Sequence, residues 1–314
     1  MVYKVLIPQD VHEAGKNYLL ERGYELKILE DSSPENISDN IKDCEAVLGR
    51  YGKYPRCVFE AGKNLKIFAK HGVGVDDIDL EAAKEFGITV TNTPEANMNS
   101  VAEHTIGMML ACAQNMVQQD KRTREGEFQS VRIEPTLELT GKKLGLIGFG
   151  NIARSVAKKA ALGLDMEIII YNHRVVEDLP EYVRQVSLKE LLTESDVVSL
   201  HCPLNKETRG MINEETLGML KPSAILLNFA RGGIIDEKAL YKALVENKIF
   251  MAGLDCFTNE PTAADNPLFL LKNIIVSPHS GGLSQKAAEN MSLHAAMCID
   301  DVLSGRQPKW VVKS

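Results

Sequence analysis

Lys142-Lys-Leu-Gly-Leu-Ile-Gly-Phe-Gly-Asn-Ile-Ala153 is the stretch that decides the fold of this chain. The apolar run Leu144 to Ile147 reads as a buried parallel strand, and Gly148 and Gly150 follow it at once. Asn151 to Leu162 then reads as a helix, with Ile152, Val156, Ala157 and Ala160 on one face. A second strand, Glu167 to Tyr171, closes a βαβ unit. A tight turn at Gly148 reverses the chain, and Gly150, lacking a side chain, leaves room for a pyrophosphate at the backbone. The helix opening at Asn151 and Ile152 offers N–H groups to that anion. The glycine pattern alone is weak. Strand, turn, helix and second strand at the required spacing make it a dinucleotide-binding signal.

The tip of the second strand is unusual. An NAD site places Asp or Glu there, about 20 residues after the glycines, on the ribose 2′-OH. This chain has Asn172, His173 and Arg174 instead. A carboxylate repels a 2′-phosphate, whereas Arg grips one through charge-assisted bonds. The sequence therefore leans toward NADP, with NAD bound without its usual anchor as the alternative.

Outward from this unit, short strands alternate with amphipathic segments. In the first half, strands are expected at Lys4–Ile7, Glu25–Ile28, Ala46–Leu48, Ile67–Ala69 and Thr89–Val90. Helices are expected at Val11–Glu21, Pro34–Ile41, Val58–Ala61 and Leu80–Phe86. Asn97 to Arg124 reads as one long helix, with Val101, Thr105, Met108, Met109, Cys112 and Met116 at helical spacing. Strands are also expected at Val197–Leu200, Ala224–Asn228, Met251–Leu254 and Ile274–Val276, before a last helix from Leu283 to Leu303. Alternation of this kind implies an α/β protein with parallel sheets covered on both faces. The mid-chain fingerprint predicts two doubly wound domains. Residues 98–283 are expected to form a Rossmann cofactor domain inserted into a first domain made of 1–97 with 284–314.

Composition narrows the function. A chain of 314 residues accommodates two cores. The net charge of −7 argues against a nucleic-acid surface, which needs excess Lys and Arg. No run reaches transmembrane length, and the opening Tyr3-Lys-Val-Leu-Ile7 reads as a strand rather than a signal peptide. The six cysteines are scattered, without a C-x-x-C pair. They read as buried reduced thiols of a cytoplasmic protein, with no metal cluster.

Three apolar runs end in polar residues: Asn228 to Arg231, Asp255 to Glu260, and Ser277 to His279. In a doubly wound sheet, ligands lie beyond the carboxyl ends of the strands. Arg, Glu and His arriving there suit acid–base work on a carboxylate substrate. Together with His71-Gly-Val-Gly-Val-Asp76, Asn92-Thr-Pro94, Ser100-Val-Ala-Glu-His-Thr105, His201-Cys-Pro-Leu204, Ala230-Arg-Gly-Gly233 and Pro278-His279, they appear in a specific order. Over nearly its whole length the chain resembles the D-specific 2-hydroxyacid dehydrogenase family, which implies a flavodoxin-like substrate domain made from both chain ends around the inserted Rossmann domain.

That resemblance implies hydride transfer between a nicotinamide cofactor and a small D-2-hydroxy acid or 2-keto acid, in a homodimer. It implies His279 as general acid–base, Glu260 as the partner fixing its tautomer, and Arg231 as the clamp on the substrate carboxylate. Arg50, Val73, Gly74 and Asn97 would meet substrate. Cofactor contacts would come from Val101, Gly148, Gly150, Asn151, Ile152, Asn172, His173, Arg174, His201, Pro203, Thr208, Phe229, Ala230, Asp255, His279 and Gly281. Asp255 would orient the carboxamide and Thr208 would touch the phosphates. Formate dehydrogenases share the fold but carry Gln where Glu260 stands, which argues against formate. His71, with Lys70, Arg50 and Lys53, reads either as a basic substrate mouth or as solvated charge. His104 and His294 read as packing residues. Corepressors of the same fold keep the same residues, so a cofactor-gated binding protein is the alternative function.

Overall fold

A computed structural model describes residues 2–131 and 135–312. The chain divides into two compact units, 1–97 with 282–314, and 98–281. The second crossing therefore falls at Gly281/Gly282, slightly ahead of the boundary expected from sequence.

The first unit holds five strands: β1 (Lys4–Ile7), β2 (Glu25–Ile28), β3 (Ala46–Gly49), β4 (Ile67–Lys70) and β5 (Thr89–Thr91). They pair in parallel in the order β2-β1-β3-β4-β5. Alternate residues of β1 serve two cores. Leu6 packs with Ile37, Val58 and Phe68, whereas Val5 and Ile7 pack with Leu19, Ala295 and Ile299. Helices thus cover both faces, which is why the strand reads as an unbroken apolar run. Helix starts are marked by Ser33 and Ser284, whose hydroxyls accept from Asn36 N–H at 3.4 Å and Ala287 N–H at 3.2 Å. Each such cap contributes about 1 kcal/mol. The C-terminal helix Gln285–Leu303 belongs to this unit, and the tail after it returns to β5, where Val312 N–H donates to Val90 O at 2.9 Å.

The second unit holds β6 (Lys143–Ile147), β7 (Glu167–Tyr171), β8 (Val183–Gln185), β9 (Val197–Leu200), β10 (Ile225–Asn228), β11 (Met251–Leu254) and β12 (Ile274–Val276). Their parallel order is β12-β11-β10-β9-β6-β7-β8. The sequence of strands reverses direction between β6 and β9, so the crevice at their carboxyl ends is the topological switch point. The helix Asn151–Leu164 buries Ala153, Val156, Ala157 and Ala160, small residues that allow close packing on the sheet. The short strand β8 carries one buried residue, Val183, and gave no periodic signal.

The expected long helix is broken. Asn97 to Arg124 is not a single helix but two, Met98–Ala113 and Met116–Arg124. Asn115 between them sits at φ +50, in the left-handed region that ends a helix. The first helix buries Val101, Thr105, Met108, Met109 and Cys112 within its own unit, against the helix Asn151–Leu164 and strands β10 and β11. The second has no buried residue, and Met116 is exposed rather than on an apolar seam. Among the described residues, no helix is long and apolar enough to cross a membrane. All six cysteines are free. Cys57 is exposed, contrary to the expectation of burial, while Cys44, Cys112, Cys256 and Cys298 are buried.

Candidate active site

The carboxyl ends of β10, β11 and β12 bring Arg231, Glu260 and His279 into one corner of the second unit. His279 Nδ1 lies 2.7 Å from Glu260 Oε2, and Phe257 N–H donates to Glu260 Oε1 at 2.9 Å. Burial opposes ionisation of Glu260. The bonds from His279 and Phe257 and the nearby Arg231 charge outweigh it, holding the carboxyl below its ordinary range. Hydrogen bonding to the Cys256 sulfur, and then to Glu260, raises His279 from 6.5 to about 10. The imidazole is therefore protonated at neutral pH. Burial pushes the Cys256 thiol up, so it meets His279 as a neutral sulfur. The Cys256 S–H donates to Ala230 O at 3.5 Å.

The Arg231 turn is locked by Asn228, whose amide donates to Arg231 O at 2.9 Å and accepts from Ala230 N–H at 3.0 Å. Gly232 abuts the Phe257–Thr258 backbone so closely that a Cβ has no room. That contact ties the arginine turn to the segment carrying Glu260.

His279 sits at φ +51, which costs a non-glycine residue roughly 1–3 kcal/mol unless its surroundings impose it. Asp255 supplies the constraint. Its Oδ1 accepts from Ser277 Oγ at 2.6 Å and from Ser280 N–H at 2.8 Å, and its Oδ2 from Gly281 N–H at 2.9 Å. Ser277 has one proton and gives it to Asp255, which leaves His104 Nε2 as the donor in their 3.2 Å contact. Ser100 Oγ donates to Gly281 O at 2.7 Å. Asp255 thus clamps the loop that presents His279. His104, read from sequence as a packing residue, is hydrogen-bonded into this brace and also meets the Phe229 ring edge-on at 5.5 Å. Cys256, Ser277 and Ser100 lie in the stretches singled out from sequence but were given no role there, because short polar residues give no signal until the loops carrying them meet.

At the switch point, Gly148 has φ +88, and a Cβ on it would lie 2.8 Å from Cys202 N and 2.9 Å from His201 C. Both the backbone angle and the close approach of the β9 exit require glycine. Gly150 instead faces open space and begins the helix Asn151–Leu164 with no side-chain cap. An uncapped helix start fronted by open space suits an anion. Burial lowers His201 to about 4, so its ring is neutral. Its Nε2 meets Ser199 Oγ at 2.9 Å, and its buried Nδ1 has no partner among the described residues. These features fit a dinucleotide. Ile152 is half-buried, Pro203 is exposed, and Val101, Phe229 and Ala230 are buried. Thr208 is buried and donates its hydroxyl proton to Pro203 O at 2.6 Å, so a phosphate contact would require that bond to open.

At the end of β7, Asn172 Nδ2 donates to Arg174 O at 3.0 Å and shapes the turn. The Arg174 side chain is exposed, with no partner among the described residues. His173 Nδ1 lies 3.6 Å from Glu207 Oε2, a carboxylate the sequence reading did not place there.

In the first unit, Gly72 adopts φ +144, its N–H donates to Thr93 Oγ1 at 3.0 Å, and Asn92 Nδ2 donates to Val73 O at 2.8 Å. This fixes the turn carrying Val73 and Gly74. Asn97 keeps a buried Oδ1 without a partner among the described residues. Arg50 stacks on the Tyr51 ring at 4.6 Å. Neither reading of His71 and Lys70 survives intact. Both are buried, not solvated. Burial and then the Arg50 charge lower His71 to about 4, and Lys70 is ion-paired with Asp77, so these two residues do not form a basic mouth.

The family model for the D-isomer specific 2-hydroxyacid dehydrogenase NAD-binding domain matches residues 106–281. The D-3-phosphoglycerate dehydrogenase of Methanocaldococcus jannaschii is 41% identical over 98% of this chain, which spans only 59% of that relative. The glyoxylate reductase of Korarchaeum cryptofilum is 38% identical over 92% of this chain and 89% of its own length. The structure of a Sinorhizobium meliloti NADPH-dependent glyoxylate/hydroxypyruvate reductase, with NADP and malonate, superposes at TM-score 0.88 and 27% identity, covering 99% of this chain and 97% of that one. The alternative of a corepressor-like binding protein gains no support from these relatives. Matched over more than half its length by that family model, and nearly throughout by such enzymes, the chain belongs to the D-isomer-specific 2-hydroxyacid dehydrogenase family.

Proposed function

We propose that this chain reduces small 2-keto acids to D-2-hydroxy acids, with NADPH preferred over NADH. The observation that carries the reading is the 2.7 Å His279–Glu260 pair, protonated and placed beside Arg231. A bound nicotinamide supplies the hydride. Arg231 holds the substrate carboxylate and polarises the neighbouring carbonyl, since a guanidinium gives directional bonds. His279 donates the proton to the carbonyl oxygen as it gains negative charge, and recovers it from solvent. Glu260 keeps Nδ1 protonated, which fixes the ring orientation and stabilises the imidazolium. Asp255 holds the His279 loop in register. Val73, Gly74, Arg50 and Asn97 are proposed as substrate contacts of the first unit.

For the cofactor, Gly148 and Gly150 admit the pyrophosphate, and the unpartnered Arg174 takes the 2′-phosphate. The NADP-bound glyoxylate/hydroxypyruvate reductase supports this choice by its likeness over the full chain. Exposed Met116 and Val117, after the Asn115 break, support a homodimer. Six free thiols suit a cytoplasmic location.

The test is a substrate panel of glyoxylate, hydroxypyruvate, 3-phosphohydroxypyruvate and branched 2-keto acids, each with NADPH and NADH. Turnover with at least one acid, giving the D product, is expected. Cofactor binding without turnover on any acid would overturn the reading. Preference for NADH by roughly tenfold, about 1.4 kcal/mol the wrong way, would overturn the role of Arg174.

A further inference from the structure

We propose that Cys256, Glu260 and His279 also form a binding site for one thiophilic divalent cation of the Zn2+ class, and that its occupancy silences the proton-transfer pair. The inhibitory half rests on the reductase reading above; the binding half does not.

The three residues are separated in sequence but converge in the fold. One ligand atom from each lies within 4.8 Å of the other two. The set is thiol, carboxylate and imidazole, the three donor types Zn2+ accepts. With metal–ligand bonds of about 2.0–2.3 Å, a tetrahedral ion needs ligand atoms about 3.3–3.8 Å apart. The 2.7 Å His279–Glu260 contact must widen modestly, while the 4.8 Å limit leaves only short movements for the others. The thiolate selects against Mg2+ and Ca2+, which prefer oxygen.

Access and support fit as well. Cys256, 2% exposed, forms the floor. The side chains of His279 and Glu260, 47% and 36% exposed, form an open rim through which the ion and a water as fourth ligand arrive. The second oxygen of Glu260 is held by Phe257 N–H, while the bond from the Cys256 S–H to Ala230 O is given up when the thiol ionises. Charge balances too. The resting cluster is a neutral thiol, a carboxylate and an imidazolium. Binding releases the thiol proton and one imidazolium proton to solvent, leaving thiolate, carboxylate, imidazole and a dication. The net charge is zero before and after, so Arg231 nearby meets the same total charge.

The consequence for the reaction is direct. A ring nitrogen bound to metal no longer carries the proton held between His279 and Glu260, and Glu260 no longer fixes the tautomer. The site described for proton transfer is the site the ion occupies.

The experiment uses the full chain with Co2+ as a spectroscopic probe and Zn2+ in competition with a chromophoric chelator. One Co2+ per chain with a thiolate-to-cobalt charge-transfer band is expected. Cys256→Ala should abolish the band and weaken Zn2+ by at least roughly the ten- to hundredfold that loss of an outer partner costs. Cys256→Ser, closer in size, guards against misfolding and should also lose the band. Cys57→Ala, which removes the exposed thiol, should change neither readout. A band that survives in both Cys256 variants, or that disappears with Cys57, overturns the site. Turnover with and without Zn2+ is compared within each protein, so basal differences cancel. Native binding without inhibition overturns the silencing. Lack of turnover on every keto acid defeats the reductase reading and the silencing with it, while the cobalt band still decides the site.

Discussion

Two regions of the second unit meet the same ligand problem with different degrees of constraint. The corner around His279 is cross-braced: Asp255 accepts three hydrogen bonds, Ser100 and His104 join from a helix more than 170 positions away, and Gly232 is pressed against Phe257. The rim at Asn172–Arg174 is open, with a guanidinium that has no partner among the described residues and an exposed His173–Glu207 pair. The difference matches the roles proposed for each. Proton transfer demands a group held within a fraction of an ångström, so misplacement is expensive. Discrimination between two cofactors needs only a charge at the right place, and solvent weakens it. Large effects are therefore expected in the corner and small ones at the rim.

The largest is His279→Ala. Loss of general acid–base help should lower kcat by roughly a hundred- to ten-thousandfold, while NADPH fluorescence still reports binding. Near-normal turnover would break the comparison at its root. The pH profile sharpens it. With His279 raised to about 10, kcat/KM for reduction should stay level through neutral pH and fall only as pH nears that value. A fall near 6.5 would show that Cys256 and Glu260 do not hold the proton. The stability linkage has the same sign. The folded value exceeds the unfolded one, so this group's contribution is complete below about 6.5 and is lost as pH rises through about 10.

Next comes the brace itself. Asp255→Asn turns an acceptor toward a donor and should lower stability by about 1.5–3 kcal/mol, the worth of one charge-assisted bond. Denaturant midpoints measure this, and an unchanged midpoint would mean the loop holds itself. At the rim, Arg174→Ala should reduce kcat/KM for NADPH roughly ten- to a hundredfold, from a similar 1.5–3 kcal/mol, and leave NADH nearly unchanged. Equal losses with both cofactors would contradict a 2′-phosphate contact. The smallest effect belongs to Glu207→Gln. Removing a carboxylate beside His173 should favour NADPH by no more than about fivefold, since an exposed pair is worth up to about 1 kcal/mol. A much larger gain would make Glu207, not Arg174, the main selector.

The sequence was most legible where physical signals are local. The Gly148 turn, its helix and its flanking strands follow from a short apolar run, two glycines and helical spacing, all within about one βαβ unit. The convergence of Arg231, Glu260 and His279 was legible because doubly wound sheets place ligands beyond strand ends, and the roles proposed for them come from the family resemblance. Legibility fell where the pattern was periodic but the backbone was not. Helical spacing continued through Asn115, yet a left-handed residue there divides the helix and leaves Met116 outside the core.

What the sequence determined by itself is the alternation of strands and helices and the dinucleotide fingerprint, since each is written in neighbouring positions. Tertiary structure alone decided which charges survive. It buried Lys70 against Asp77 and His71 away from water, set Asp255 under the His279 loop, and put Cys256 against the imidazole. Those outcomes depend on desolvation and on hydrogen bonds between residues far apart in the chain, and neither composition nor spacing carries that information.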